Sequence, residues 1–372
     1  MLSEKLKKDI IEDDKKFVDG NVRCKIPAYC PDNHWKHLSE SDYYHALIVF
    51  RHYIKIVSDY FFSEKQKAKN IDLFMFTSSV SSPMGPGSDS EPVSIKFGKL
   101  KTFLVDSSQF GFEPLLLNGF DKVYCYLPSM RGEDCDKRHL NQFYHCEMEM
   151  KGGLDKLLPI IEGYIRILAE AILLMENIIN KISENPEQTR KYLKDILKTK
   201  EFPRISFDEA VDALVKSGKK SLINFTKHGN DIRCDGEIEL MNILGVKTPV
   251  WLTSFDRDRV PFYQKPNPKN PDKTLNADLL FPPIIKNSFG GEVVGSGQRQ
   301  DNAEEMYSSL KRQKNIPPKP YEWYIDLRRH PKYGITSGFG MGIERLIAWS
   351  LGKDNIRDVI LYPRIKNVVT FP

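Results

Sequence analysis

The sequence lacks any uninterrupted apolar run long enough to cross a membrane. Its most apolar stretch, Leu157 to Ile182, is broken by Glu162, Arg166, Glu170 and Glu176. The first three of these charges recur every four residues and predict one polar helix face opposite a wide apolar one. Among six cysteines there is no C-x-x-C pair. Cys24, Cys30 and His34 lack a fourth zinc ligand at a usual spacing, so a reducing cytoplasm is the simpler expectation. Met1 to Lys16 is charged and has no apolar segment of the kind a secretory signal needs. Nor does charge of one sign dominate. The 55 basic residues nearly match 50 acidic ones, and a net charge of +5 names no partner. No internal repeat is visible.

What is present is ordinary for a globular protein of this size. With 372 residues, 40% hydrophobic and 28% charged, the chain can bury one large core or two. Residues 1–40 are lysine-rich and then turn-rich at Pro27, Pro31 and Asn33, and read as an extension. Tyr43 to Phe62 has helical periodicity, Ile71 to Phe76 reads as a strand, and Ser78 to Pro92 as a loop. Ile95 to Leu127 alternates short strands with one helix. Asp155 to Val215 is mostly helical, and strand character returns at Thr248 to Ser254 and Phe289 to Val294.

Two segments carry chemistry. Met130 to Met150, M-R-G-E-D-C-D-K-R-H-L-N-Q-F-Y-H-C-E-M-E-M, reads with the preceding run as strand, charged loop and strand. Val123, Cys125 and Leu127 share one face of the first strand. Cys146, Met148 and Met150 share a face of the second, and Phe143, Glu147 and Glu149 take the other once a twist or bulge is allowed. The second segment is G-F-G-M-G-I-E-R-L from Gly338, where three glycines predict close approach of a strand to the next helix and Arg345 sits near the junction. Such a set suits a nucleotide. Arg131 would hold an α-phosphate, Glu133 would accept from an adenine amine, and Phe143 would stack on the purine with Arg345 on its other face.

These segments resemble motifs 2 and 3 of the class II aminoacyl-tRNA synthetases, motif 3 extending through N-I-R-D-V-I-L-Y-P-R to Arg364. Three further segments are similar to the aspartyl/asparaginyl subgroup: P-F-Y at Pro261 to Tyr263, G-G-E-V-V-G-S-G-Q-R from Gly290 to Arg299, and Y-I-D-L-R-R from Tyr324 to Arg329. The resemblance covers roughly residues 70–365 and is strongest to asparaginyl-tRNA synthetase. It implies an α+β fold, an antiparallel sheet flanked by helices. A catalytic domain would span 41–372, with a helical insertion at about 155–215.

The resemblance also implies an AMP-forming ligase that uses ATP and magnesium. Arg131 would bridge the amino-acid carboxylate and the α-phosphate, Arg345 would hold the γ-phosphate, and His139 would assist. Glu292 would bind magnesium, joined by Asp278, although fourteen residues separate the two where the family's pair is closer. Arg299 and Gln109 would contact the amino acid, and Glu147 would accept from a side-chain amide. Phe112 stands in place of the lysine that binds aspartate in aspartyl enzymes, so a neutral side chain such as that of asparagine is expected. Departures from the pattern are Gln142 for a glutamate, Thr336 for a histidine, the order of residues at Gly295 to Gly297, and a motif 1 proline without counterpart after Phe76. The motif 1 region starts near residue 43, which leaves no room in this sequence for an N-terminal anticodon-binding barrel. The expectation is therefore transfer to a small amine or ammonia. The alternatives are an asparagine-tRNA ligase without that barrel and a non-catalytic ATP- or tRNA-binding paralogue. A homodimer is implied by the class.

Overall fold

A computed structural model describes residues 1–18, 23–81, 90–313 and 316–371; residues 82–89 of the loop expected from Ser78 to Pro92 lie outside the described residues. Its frame is an eight-stranded sheet. In chain order the strands are β1 (Lys69–Asn70), β2 (Lys122–Met130), β3 (Gln142–Lys151), β4 (Arg204–Ser206), β5 (Val250–Thr253), β6 (Asn276–Phe281), β7 (Gly291–Gln298) and β8 (Thr336–Gly342). They lie in the order β1-β2-β3-β8-β7-β6-β5-β4. Only the two edge pairings, β1 with β2 and β4 with β5, are parallel. The fold is α+β with a mainly antiparallel sheet, as expected.

The two faces of the sheet are made of different residues. One row across the strands reads Tyr126, Cys146, Met341, Val294, Leu279 and Trp251. These large groups are covered by helices α2 (Asp42–Asp59), α4 (Leu154–Leu174) and α6 (Ile343–Ser350), which share the main core with them. One register step away, on the opposite face, the row is Cys125, Glu147, Gly340, Gly295 and Asp278; three steps away, on that same opposite face, it is Val123, Glu149, Gly338, Gly297 and Asn276. Alternation of side chains along each strand makes the first face a packed core and the second a polar surface with a bare centre.

Several local readings change in three dimensions. The register of β2 with β3 is continuous, and Phe143, His145, Glu147 and Glu149 fall on one face with no bulge. The first strand is Lys69–Asn70, not Ile71 to Phe76: after Ile71 donates to the Tyr124 carbonyl, the chain leaves the sheet so that Ile71 and Leu73 pack beneath helix α3 (Gln109–Leu117). The charged stripe of α4 is only partly open to water. Glu162 is buried and accepts from the Trp251 indole at 3.0 Å and from Arg166 at 2.9 Å, while Glu170 accepts from the Leu2 amide. Residues 154–216 thus cover the sheet and supply its edge strand β4, and the first helix, α1 (Glu4–Asp14), packs on α4 through Leu6 and Ile10.

Candidate active site

The bare centre of the polar face is the floor of a cavity of about 400 Å³. Its centre is four glycines in a square, Gly338 and Gly340 on β8 and Gly295 and Gly297 on β7. The carboxylates of β3 stand on one side and Asn276 and Asp278 of β6 on the other. A Cβ at Gly338 would overlap the Glu149 carboxylate, and one at Gly297 the Gln264 amide. The motif 3 glycines therefore leave space above the sheet. That changes the sequence reading for Gly338 and Gly340, while Gly342 keeps the expected strand-to-helix approach, its Cβ position lying 3.3 Å from the Arg345 side chain.

At one end of the cavity stand Arg131, Glu133, His139, Phe143, Glu292 and Arg345, all lining one continuous recess. Arg345 lies in the first turn of α6 and donates to Glu292 at 2.9 Å, with His139 Nε2 3.3 Å away. The Arg131 guanidinium lies over the Phe143 ring at 5.4 Å. Burial drives His139 toward the neutral form, and Arg345 beside it adds to that. Glu133 already accepts from the Glu91 amide at 3.1 Å through one oxygen. The structure thus brings all six of these sequence-predicted residues together.

Asp278 and Glu292 converge in spite of their separation in sequence, because the intervening residues form the loop of an antiparallel hairpin, β6 to β7. Both carboxylates approach the Cβ position of Gly295, Glu292 at 3.3 Å and Asp278 at 3.6 Å. Burial raises the Asp278 carboxyl well above the usual range, and Glu292 and Glu237 push it further. Glu292 is also lifted by burial, but Arg345, Arg131 and Arg138 together outweigh it and hold the carboxyl low. Glu237, on helix α5 (Cys234–Leu244), was missed by sequence reasoning. It pairs with Arg138 at 3.6 Å and accepts from the Glu292 amide at 2.9 Å; burial pushes it up to about 7. Nothing but its place in the fold marks it. Among the described residues no group of three or more His, Cys, Asp or Glu is placed to hold a metal ion. Two hard carboxylate oxygens beside a cluster of cations nevertheless suit magnesium, which commonly takes one or two carboxylates and completes its shell with phosphate and water.

At the other end lie Gln109, Glu147 and Arg299. Glu147 faces the start of α3 and receives the Ser107 hydroxyl at 2.7 Å, the Ser108 amide at 2.7 Å and the Ser108 hydroxyl. His145 Nδ1 is 3.2 Å away. Burial lowers His145 to about 3, helped by Arg131 and Arg345, so the ring beside Glu147 is neutral, and its Nδ1 is hydrogen-bonded to the Ser129 hydroxyl at 2.8 Å. Three donated hydrogen bonds occupy most of the acceptor capacity of a carboxylate. Arg299 is held by Glu149 through two hydrogen bonds, 2.9 and 2.8 Å. Gln264, directly after P-F-Y and not singled out from sequence, also lines the cavity; its Oε1 and the Gln109 Nε2 are buried with no protein partner among the described residues. Phe112 does not reach the cavity. It is 1% exposed and packs against Val105, Leu116, Val123 and Cys125, under the helix whose start holds Glu147.

The comparisons with known proteins fit this geometry. Residues 31–366 match the model of the tRNA synthetases class II (D, K and N). The chain is 33% identical over 275 residues to an asparagine–tRNA ligase of Pyrococcus abyssi, with 73% of this chain and 58% of that protein covered. It is 36% identical over 273 residues to an asparagine–tRNA ligase of Pelotomaculum thermopropionicum, covering 71% and 57%. It therefore spans less than two thirds of the length of these curated relatives. The asparaginyl-tRNA synthetase of Pyrococcus horikoshii, solved in complex with asparaginyl-adenylate, superimposes with a TM-score of 0.80 at 26% identity, covering 91% of this chain and 73% of that one. The matched span takes in the whole sheet and every residue lining the cavity, and the chain belongs to the class II tRNA synthetases of the D, K and N group.

Proposed function

We propose that the chain activates asparagine with ATP and passes it to tRNA. The observation that carries this reading is that two adjoining recesses, one holding Arg345 and the other the Glu147–Arg299 surface, share Arg131, His145, Glu292 and Gly340 in their walls. The amino-acid carboxylate oxygen attacks the α-phosphorus. A C–O–P bond forms, the bond between the α- and β-phosphates breaks, and pyrophosphate leaves with the electron pair. Arg131 sits where it neutralises the carboxylate and the α-phosphate, which repel each other until a cation joins them. Arg345 and His139 receive the outer phosphates, and Phe143 with Arg131 over its face gives the purine a stacking surface. Asp278 and Glu292 would hold magnesium, which supplies charge neutralisation for the leaving pyrophosphate. In the second step a terminal hydroxyl of tRNA attacks the activated carbonyl and AMP leaves.

The acceptor favoured here is tRNA, because the relatives are named for it. A small amine or ammonia, expected from the sequence, has no support among them. A non-catalytic role fits less well with a cavity that retains Arg131, Glu133, Glu292 and Arg345. Residue types at the Glu147 end favour a neutral side chain, and dimerisation and a cytoplasmic location belong to the same proposal. Among the described residues no helix is long and apolar enough to cross a membrane. Amino-acid-dependent exchange of pyrophosphate into ATP, measured with each amino acid, is expected to be largest with asparagine, and charging of tRNA should follow. Exchange with aspartate alone would overturn the choice of amino acid, and exchange without charging would overturn the choice of acceptor.

A further inference from the structure

Behind Arg299, away from the cavity, lies a second buried ion pair that the proposed chemistry does not use. Arg328, the first arginine of Y-I-D-L-R-R, meets Glu113 of α3 with Nη2 at 2.9 and 3.1 Å from its two oxygens, and both side chains are fully buried. Its Nε donates to the Gln300 carbonyl at 2.9 Å and its Nη1 to the Tyr324 carbonyl at 2.8 Å. Glu113 in turn receives the Thr336 hydroxyl at 2.9 Å and the Tyr333 hydroxyl at 2.5 Å. The Arg299 amide donates to the Thr336 carbonyl at 2.9 Å. Arg299 is thus gripped from behind on both sides: through its own peptide by Thr336, and through the carbonyl of the next residue by Arg328. Arg329, the other arginine of the motif, is half exposed and pairs with Asp326 and Glu304 at the surface.

We infer that Glu113 and Arg328 are positioning residues for Arg299, which set the shape of the amino-acid end of the cavity without touching the ligand. The physical reason is that both arginines are fully paired and held in place. Glu149, Arg299, Arg328 and Glu113 form two buried pairs, and each arginine is committed to its own carboxylate by contacts a single rotamer satisfies. Removing the outer pair frees the Gln300 carbonyl and loosens the peptide that aims Arg299. A displacement of the order of 1 Å is enough to weaken a contact with a ligand. Thr336 then has a reason of its own. The residue that departs from the family pattern is the one that links Glu113 to the Arg299 backbone.

This inference rests on the activation reading, and the test separates the two. Replacing both members together, Glu113→Met with Arg328→Met, leaves no unpaired charge and removes the risk that misfolding alone explains a loss. In pyrophosphate exchange the double variant, still folded by circular dichroism, should raise the asparagine KM by about tenfold, the effect of losing one well-made polar contact, while the ATP KM stays within about twofold. Thr336→Val should move the asparagine KM in the same direction by less. Arg329→Ala serves as the surface control and should leave both constants unchanged. A folded double variant with an unaltered asparagine KM, or one in which the asparagine and ATP constants rise together, overturns the inference and leaves activation standing. Absence of both exchange and calorimetric amino-acid binding in the unaltered protein overturns the activation reading and this inference with it.

Discussion

At the Arg345 end of the cavity, the pair Arg345–Glu292 is joined by one side-chain contact and keeps 20% and 35% of its side chains exposed; at the Arg299 end, Arg299–Glu149 is joined by two and keeps 4% and 1%. The contrast extends outward. Arg345 has a neutral histidine as its other neighbour, whereas Arg299 is backed by a second buried pair. A partly wet pair of this kind is of modest strength and opens at little cost, as the proposed binding of phosphates would require. A pair that must hold one shape is dry and bidentate, and breaking it costs far more. The protein keeps the Arg345 cation partly open at one end and the Arg299 pair rigid at the other.

The largest effect should come from putting a charge into the rigid end where no partner exists. Phe112→Lys is expected to destabilise the fold on the order of 3–5 kcal/mol, because the ammonium would lie among Val105, Leu116 and Val123 and not in the cavity. Thermal or denaturant unfolding measures this. A stable variant that newly activates aspartate would show that position 112 does reach the ligand, and the contrast between the two ends would collapse. Next in size, Arg345→Ala should lower the exchange rate by about 10²–10³, since it removes a cation aimed at developing charge without leaving a dry carboxylate behind. Unfolding of this variant should change little. A rate near that of the unaltered protein would mean the wet pair is only structural.

The smallest effect is one of pH. Burial raises the Glu113 carboxyl, but Arg328, the tyrosine hydroxyls and Arg299 together outweigh it and hold the carboxyl below the ordinary value of 4.5. A group depressed on folding contributes stability that is fully present above its unfolded value and lost as pH falls through the folded one. Below about pH 4.5 the unaltered protein should therefore lose stability relative to Glu113→Gln, by at most about 1.4 kcal/mol per pH unit for one proton. Parallel stability curves for the two proteins in that range would show that the buried pair carries no such coupling.

How much of this was legible before the fold was known follows the same division. Arg131, Glu133, His139, Phe143 and Arg345 lie in two contiguous segments, and a strand or a helix turn fixes where neighbours in sequence must point. The α+β class came from the same segments. Asp278 and Glu292 were harder, because the span between two strands of a hairpin says nothing about the distance across it. Glu113 and Arg328 were out of reach: 215 residues separate them, and only the closed sheet brings them together. Phe112 was misread for a local reason. Three residues after Gln109 it was placed by motif position, whereas the helix turns its ring down onto β2.

The square of glycines beneath the cavity also fixes a thickness. Over Gly295 an added methyl would meet Glu292 at 3.3 Å and Asp278 at 3.6 Å, and over Gly340 it would meet Glu147 at 3.3 Å, while over Gly297 and Gly338 it would overlap an amide and a carboxylate outright. Half of the floor can therefore drift by one carbon while the other half cannot. A ligand pressed flat onto the sheet would sense that difference as a step. An inhibitor built to lie low over Gly295 and Gly340 would be the one a single glycine-to-alanine change defeats, whereas one seated over Gly297 and Gly338 would meet a surface the protein is not free to raise.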